Sequence, residues 1–253
     1  MVKKVYLIGM GPGNLKYLTL EAVDLIKRLP LFLIPLKSSK KTYLTEKRKE
    51  ILYKIRKDRN FKIVEIPFPE RKRSFQYKEA VTSWRRKKAE ILIKVLQKES
   101  TEEVGFIIWG DPSIYDGHIE IFKDVQKQIP IEFEIIPGIS AFQILSAKHK
   151  IPLTRIAGSL LFTTPRGLKK FSEIKENTVV FLDNYESYRK FNQKDLKIYW
   201  GAYLGTEKEV LLSGRLSEVK EKIIELRRKL RKENGWIMEI YFLLPEDKVK
   251  DEE

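Results

Sequence analysis

Two carboxylates, a hydroxyl and a phenol fall in one short stretch, Trp109-Gly110-Asp111-Pro112-Ser113-Ile114-Tyr115-Asp116. Asp111, Tyr115 and Asp116 could move protons, while Gly110, Pro112 and Ser113 are the residue types of a tight turn. Two more stretches share that Gly, Pro and Ser character: Gly9-Met10-Gly11-Pro12-Gly13-Asn14 and Pro137-Gly138-Ile139-Ser140. Glycine lets a ligand approach the main chain and tolerates positive φ, so such turns can bind through backbone groups. Other chemistries lack their residues. The chain has no Cys, which removes disulfides, thiolate zinc sites and a Cys nucleophile. It has two His, His118 and His149, too few for a His-based metal centre or a well-supplied Ser-His-Asp triad. Each is read as a surface or helix-packing residue.

The elements that position these turns follow from periodicity. Val104 to Ile108 is an unbroken apolar run, the pattern of a buried parallel strand, and Ile119 to Val125 opens a helix behind the Asp-Pro-Ser turn. Val5 to Ile8 is a strand before the glycine-rich turn, and Leu18 to Lys27 is a helix with Thr19 as its cap. This opening resembles a dinucleotide fingerprint and fails as one: Asn14 stands where the third glycine belongs, and Leu31 to Leu36 runs into Lys37 without an acid. Lys41 to Arg59 predicts a basic helix with Leu44, Ile51, Leu52 and Ile55 inward, and Phe61 to Ile66 a strand closed by Pro67 and Pro69. Glu79 to Lys98 predicts a helix with Val81, Trp84, Ile91, Leu92, Val95 and Leu96 on one face, and its Arg85 to Lys88 run as a solvated edge. Glu132 to Ile136 is a further strand, and Ser140 opens a helix through Ala147. All three turns therefore end strands of one sheet, and the carboxyl edge of an open α/β sheet is where ligands bind.

The pattern restarts near Lys150 to Thr154, which predicts domains over 1–152 and 153–245 with a charged tail at 246–253. The second half carries strands at Leu160–Thr163, Thr178–Leu182, Lys197–Trp200 and Val210–Leu212, an amphipathic helix over Leu216–Asn234, and a last strand over Trp236–Leu244. Hydrophobic residues make up 42% of the 253, enough for two modest cores. The longest apolar or Pro run, Leu29 to Leu36, is far short of a membrane span, and the amino terminus lacks a signal-peptide pattern; a soluble cytoplasmic protein is expected. The formal charge of +15 is concentrated: residues 37–98 hold 21 Lys and Arg against seven Asp and Glu. Such a surplus suits nucleic acid, an acidic small molecule, an acidic partner, or a merely solvated surface.

The glycine-rich opening, the Gly-Asp-Pro-Ser-Ile-Tyr turn and Ile136-Pro137-Gly138-Ile139-Ser140 together resemble the tetrapyrrole methylase superfamily over nearly the whole chain. Ile198-Tyr199-Trp200-Gly201-Ala202-Tyr203-Leu204-Gly205-Thr206, Leu212-Ser213-Gly214-Arg215-Leu216 and Gly235-Trp236-Ile237-Met238 are similar to one branch, the deacetylating precorrin-6A synthases of aerobic cobalamin biosynthesis. The resemblance implies two α/β domains with an inter-domain cleft, and methyl transfer from S-adenosylmethionine (SAM) to C1 of precorrin-5 with loss of acetate. The cofactor, leaving as S-adenosylhomocysteine (SAH), is expected on Gly110, Asp111, Pro112, Ser113, Tyr115, Pro137, Gly138 and Ser140, with Leu182, Tyr203 and Leu204 from the second domain. Gly9, Gly11, Pro12 and Gly13 would face the flat macrocycle. Arg71, Arg73 and Arg166 would hold its carboxylates, because a guanidinium offers two parallel donors. Deacetylation needs a general base, for which Asp111, Tyr115 and Asp116 are all candidates by position. The family habit is a homodimer; for this chain no metal and no membrane partner are expected. Ribosomal-RNA ribose methylases and diphthine synthases of the same superfamily are the alternatives, and a non-catalytic basic nucleic-acid-binding module is a third. The basic surplus would suit RNA, but aromatics are not interleaved with it as a stacking platform requires.

Overall fold

The computed structural model describes residues 2–36, 42–70, 77–154 and 156–245. The elements in chain order are β1 (Lys4–Gly9), α1 (Leu20–Arg28), β2 (Leu31–Leu36), α2 (Thr42–Ile55), β3 (Lys62–Pro67), α3 (Tyr77–Lys98), β4 (Glu103–Ile108), α4 (His118–Gln126) and β5 (Glu132–Ile136). They continue as α5 (Ala141–His149), β6 (Leu160–Thr163), α6 (Pro165–Leu168), β7 (Asn177–Phe181), β8 (Leu196–Ala202), β9 (Val210–Arg215), α7 (Leu216–Asn234) and β10 (Glu239–Pro245). The charged tail expected at 246–253 lies outside the described residues.

Contacts divide the chain into two units, Met1–Ser140 and Ala141–Glu253. The division falls after Ser140 rather than after Pro152, because α5 joins the second sheet. Its His149 Nε2 lies 3.2 Å from the Trp200 carbonyl oxygen, and its Leu145 packs against Gly201.

The first unit is a five-stranded sheet in the order β3-β2-β4-β1-β5, every pair parallel. Alternate side chains of a strand point to opposite faces, so a sheet covered on both sides needs continuous apolar strands. Val5, Leu7, Val104, Phe106 and Ile108 accordingly pack with Leu92 and Leu96 of α3 and Ile121, Phe122 and Val125 of α4. Ile8, Phe32, Ile34 and Ile107 turn the other way, onto Ala22 and Ile26 of α1 and Ile51 and Leu52 of α2. Thr19 caps α1 as predicted, its hydroxyl oxygen accepting from the Ala22 N–H at 3.2 Å. Helix α2 stops at Ile55, short of Arg59, and Arg56 turns its guanidinium back onto the Ile26 and Leu29 carbonyls.

The second unit is a mixed sheet in the order β6-β7-β10-β8-β9. Strands β6 and β7 are parallel, and β10 runs antiparallel to both β7 and β8. Strands β6, β7 and β8 therefore run in one direction and end on one edge. Helix α7 buries Leu216, Ile223, Ile224 and Leu230, and stops at Gly235 in the left-handed region. Among the described residues no helix is long and apolar enough to cross a membrane.

Candidate functional site

Strands β4, β1 and β5 are neighbours, so the turns after Ile108, Gly9 and Ile136 lie side by side on the carboxyl edge. Their backbones touch. Gly11 and Gly110 exchange hydrogen bonds, Gly110 N–H to Gly11 O at 2.9 Å and Gly11 N–H to Gly110 O at 3.2 Å. A Cβ on Gly138 would sit 2.3 Å from the Gly110 carbonyl oxygen, and one on Gly9 2.7 Å from Gly138 N. Gly9 and Gly138 are thus required by the chain's own main-chain packing. Gly13 lies against the Trp109 ring and Gly11 against the Tyr17 carbonyl, so the smallness of this turn needs no ring to explain it. Gly110 differs: φ is +74°, yet among the described residues a Cβ there would meet nothing within 4 Å. Among those residues the space beside Gly110 is open.

Asp111 staples two of these turns. Its Oδ1 accepts from the Ser113 N–H at 2.8 Å and from the Ser113 hydroxyl, and its Oδ2 accepts from the Gly138 N–H at 2.9 Å. Both oxygens are therefore engaged within the protein. Tyr115 is exposed and held at φ +50°, an unusual conformation for an aromatic residue. Partial burial raises its phenol pKa, so the hydroxyl is a donor and not a base. Asp116 is the third candidate. Its Oδ1 accepts from the His118 backbone N–H at 2.8 Å and lies 2.7 Å from His118 Nδ1. Oδ2 has no hydrogen-bond partner among the described residues. Burial opposes the charge of Asp116, but the His118 hydrogen bonds and the nearby Lys88 charge outweigh it, and the carboxyl lies below the ordinary range.

Three buried groups, His118, Lys88 and Arg48, lie around Asp116, and the two cations were not anticipated there. His118 Nε2 lies 3.1 Å from Lys88 Nζ, and Lys88 is only 3% exposed. The solvated edge expected for Arg85 to Lys88 is thus corrected at its last residue: Lys88 lies four residues from both Trp84 and Leu92, on the inward stripe of α3. Its ammonium sits over Trp84 at 4.2 Å and Phe68 at 4.4 Å. Arg48 of α2 is also buried, donating to the Ile107 and Leu44 carbonyls at 3.2 and 3.0 Å. Burial lowers its pKa to about 10, and the charge of Asp116 works the other way.

In the second unit Leu182, Tyr203 and Arg166 follow the ends of β7, β8 and β6, so they share that sheet's edge. Leu182 has φ +58° and an exposed side chain. Asp183 imposes this bend: its carboxylate accepts from the Tyr185 and Ser187 N–H groups at 2.8 and 2.7 Å and from Tyr241 Oη at 2.6 Å. Arg227 donates to the Asp183 carbonyl and to the Glu239 and Glu186 carboxylates beneath it. Tyr203, at φ +50°, is buried with its hydroxyl donating to the Trp236 carbonyl; Leu204 is also buried. Arg166 is exposed at the start of α6. Pro12 is buried in the first turn, Pro112 and Ser140 are buried beside the second and third, and the Pro137 carbonyl accepts from the Thr19 hydroxyl. Arg71 and Arg73 lie outside the described residues. Among the described residues no cluster of His, Asp and Glu could hold a metal ion.

The pattern of the family described as Tetrapyrrole (Corrin/Porphyrin) Methylases matches residues 4–220. A Sinorhizobium sp protein named precorrin-6A synthase (deacetylating) is 36% identical over 248 residues, 96% of this chain and 95% of that one. The crystal structure of a cobalamin-synthesis-related protein, CobF, from Corynebacterium diphtheriae superposes with a TM-score of 0.82 at 30% identity, covering 98% of this chain and 100% of that one. The uroporphyrin-III C-methyltransferase of Thermus thermophilus, crystallised with S-adenyl homocysteine, shares the fold with a TM-score of 0.60 at 20% identity, covering 95% and 92%.

Proposed function

This chain belongs to the tetrapyrrole (corrin/porphyrin) methylase family, and from that membership we propose that it is a SAM-dependent C-methyltransferase of the precorrin-6A synthase type. It methylates precorrin-5 at C1 and releases the two-carbon fragment as acetate. The near full-length similarity to a deacetylating precorrin-6A synthase carries this reading. The turns of the first sheet support it, because the open space beside Gly110 admits a ligand to the main chain.

SAM, when bound, supplies a methyl group already activated by its sulfonium. The protein's task is then to orient the reactants and exclude water from the transfer, which rigid backbone turns can do. Gly110, Pro112, Ser113, Tyr115, Pro137, Gly138 and Ser140 are assigned to the cofactor, with Asp111 fixing their spacing through its bond to Gly138 N–H. Leu182 and the main chain of Tyr203 and Leu204 are assigned to it from the second unit, since both tyrosine and leucine side chains at 203 and 204 are buried. Gly9, Gly11, Pro12 and Gly13 keep their substrate assignment on position alone, and Arg71, Arg73 and Arg166 as carboxylate anchors. Of the three base candidates Asp116 is preferred: Asp111 has both oxygens engaged, and the Tyr115 phenol stays protonated.

The basic surplus does not favour an RNA substrate. Arg48, Arg56 and Lys88 are buried, and Lys47, Lys49, Lys54 and Lys62 are paired with Glu50, Glu65, Glu50 and Glu99. A homodimer in the cytoplasm completes the reading; light scattering tests the dimer. The first test of function is calorimetric titration with SAH at low and high salt, followed by an acetate-release assay on precorrin-5. Binding that survives salt, with acetate formed, supports the proposal. Folded protein that binds no SAH at either salt refutes it.

A further inference from the structure

The chain Asp116–His118–Lys88 links three elements: the turn after β4, the start of α4 and the inward face of α3. Its protonation follows from donor counting. A lysine ammonium has donors only, so His118 Nε2, 3.1 Å from Lys88 Nζ, must accept. The imidazole proton therefore lies on Nδ1 and is donated to Asp116 Oδ1 at 2.7 Å. The two rings against the Lys88 nitrogen favour its charged form, since an aromatic face attracts a cation. An anion, a neutral imidazole and a cation make a buried set with no net charge, which lowers the cost of burying each. Asp116 Oδ1 is occupied twice, and Oδ2 is left without a partner among the described residues. Apolar packing alone would be served by an aromatic ring at 118, beside Phe106 at 4.7 Å, and would not call for a buried lysine behind it.

Resting on the functional reading above, we infer that His118 and Lys88 are positioning residues for acetyl release, holding Asp116 as the base that activates water. In this step Asp116 Oδ2 takes a proton from water while the water oxygen bonds to the carbonyl carbon of the two-carbon fragment. The bond between that carbon and C1 breaks, its electron pair stays on C1, and the fragment leaves as acetic acid. The C1 pair is then the nucleophile for the methyl group, and Asp116 returns its proton to solvent. Because base and methyl donor are separate, acetate release can be damaged with the cofactor site intact.

Among the described residues, the titratable and charged groups facing Asp116 are His118 from α4, Lys88 from α3 and Arg48 from α2. The test compares Asp116→Asn, Lys88→Met, His118→Phe and His118→Asn in the full chain, reading acetate release from precorrin-5, its pH profile and SAH affinity. General-base catalysis contributes ~10²–10⁴-fold, so Asp116→Asn should lose that much acetate release. Lys88→Met keeps a chain of similar length between Phe68 and Trp84, and His118→Phe keeps the ring. Each should lose about 10-fold or more, because outer partners of a functional group typically matter by that factor, and each should shift the acid limb of the profile upward. His118→Asn keeps a donor near the Nδ1 position and should retain most of the rate. SAH affinity should stay at the wild-type value in all four. Wild-type acetate release in Lys88→Met, or equal losses in His118→Phe and His118→Asn, or SAH binding lost in parallel, would overturn the inference. If His118→Phe does not fold, Lys88→Met against wild type decides alone. Wild-type protein that binds no SAH, or binds it and forms no acetate, fails the functional reading itself.

Discussion

Gly110 and Gly138 separate two reasons for a glycine, and the difference can be measured. A methyl group on Gly138 would lie 2.3 Å from the Gly110 carbonyl oxygen and 2.9 Å from Gly9 Cα, all of them backbone atoms. Ordinary contact is ~3.5 Å, so the β4 and β5 turns must part by about 1 Å. That movement breaks the 2.9 Å bond between Asp111 Oδ2 and Gly138 N–H. Overpacking of this kind costs ~1–3 kcal/mol, and a 1 Å misplacement in a site costs ~10²-fold in function. In Gly110→Ala the methyl group meets nothing among the described residues, and only the left-handed backbone at φ +74° is penalised, by ~1–2 kcal/mol. For a chain of this size that is a fall in Tm of roughly 2–8 °C. The cofactor assignment adds a second consequence. If a ligand lies against the open side of Gly110, the methyl group occupies its place, and SAH affinity should fall at least ~10-fold, more than ~1.4 kcal/mol. Scanning calorimetry and SAH titration on both variants, below their melting ranges, give the two quantities separately. Gly110→Ala with the lowered Tm but wild-type SAH affinity would refute the reasoning, since the turn would then not meet the cofactor.

Arg227 is 4% exposed and pairs with Glu239 and Glu186, whose side chains are 2% and 19% exposed. Arg227→Met strands a buried carboxylate, and denaturant unfolding should show a loss of ~3–5 kcal/mol. Tyr188 Oη is buried without a hydrogen-bond partner among the described residues, so Tyr188→Phe should unfold at equal or higher denaturant, with a gain of up to ~1 kcal/mol. Asp116 has a folded pKa below its unfolded value, so its stabilising contribution is present above the unfolded carboxyl range and is lost as pH falls through the folded pKa. Urea midpoints from about pH 6 to about pH 3 should therefore fall less steeply in Asp116→Asn than in wild type; parallel profiles would contradict the assigned shift.

The strands, the helices and the three turns of the first sheet were legible because apolar periodicity and turn chemistry are local properties. Thr19 at the head of α1 and Gly235 behind α7 are instances. Leu182 and Tyr203 were assigned to the cofactor only by resemblance, and nothing in a leucine or tyrosine announces their positive φ; Asp183, through its bonds to Tyr185 and Ser187, supplies the local cause at Leu182. Lys88 and Arg48 were missed because charge was read as exposure. Their spacing held the contrary sign: Lys88 lies four residues from Trp84 and from Leu92, and Arg48 four from Leu44 and from Leu52, all within apolar stripes. A cation at such a position implies a buried acceptor, and apart from the Leu44 carbonyl one turn before Arg48 these come from outside α3 and α2. Those outside acceptors are His118 and the Ile107 carbonyl, brought near by the sheet order β2-β4 and by α4 packing on α3. Those contacts are properties of the topology, beyond any local pattern. The same reasoning reassigns part of the basic surplus from surface to interior. A cation buried behind Asp116 contributes no counterion release, so cofactor binding should be far less salt-sensitive than the charge of residues 37–98 alone would require.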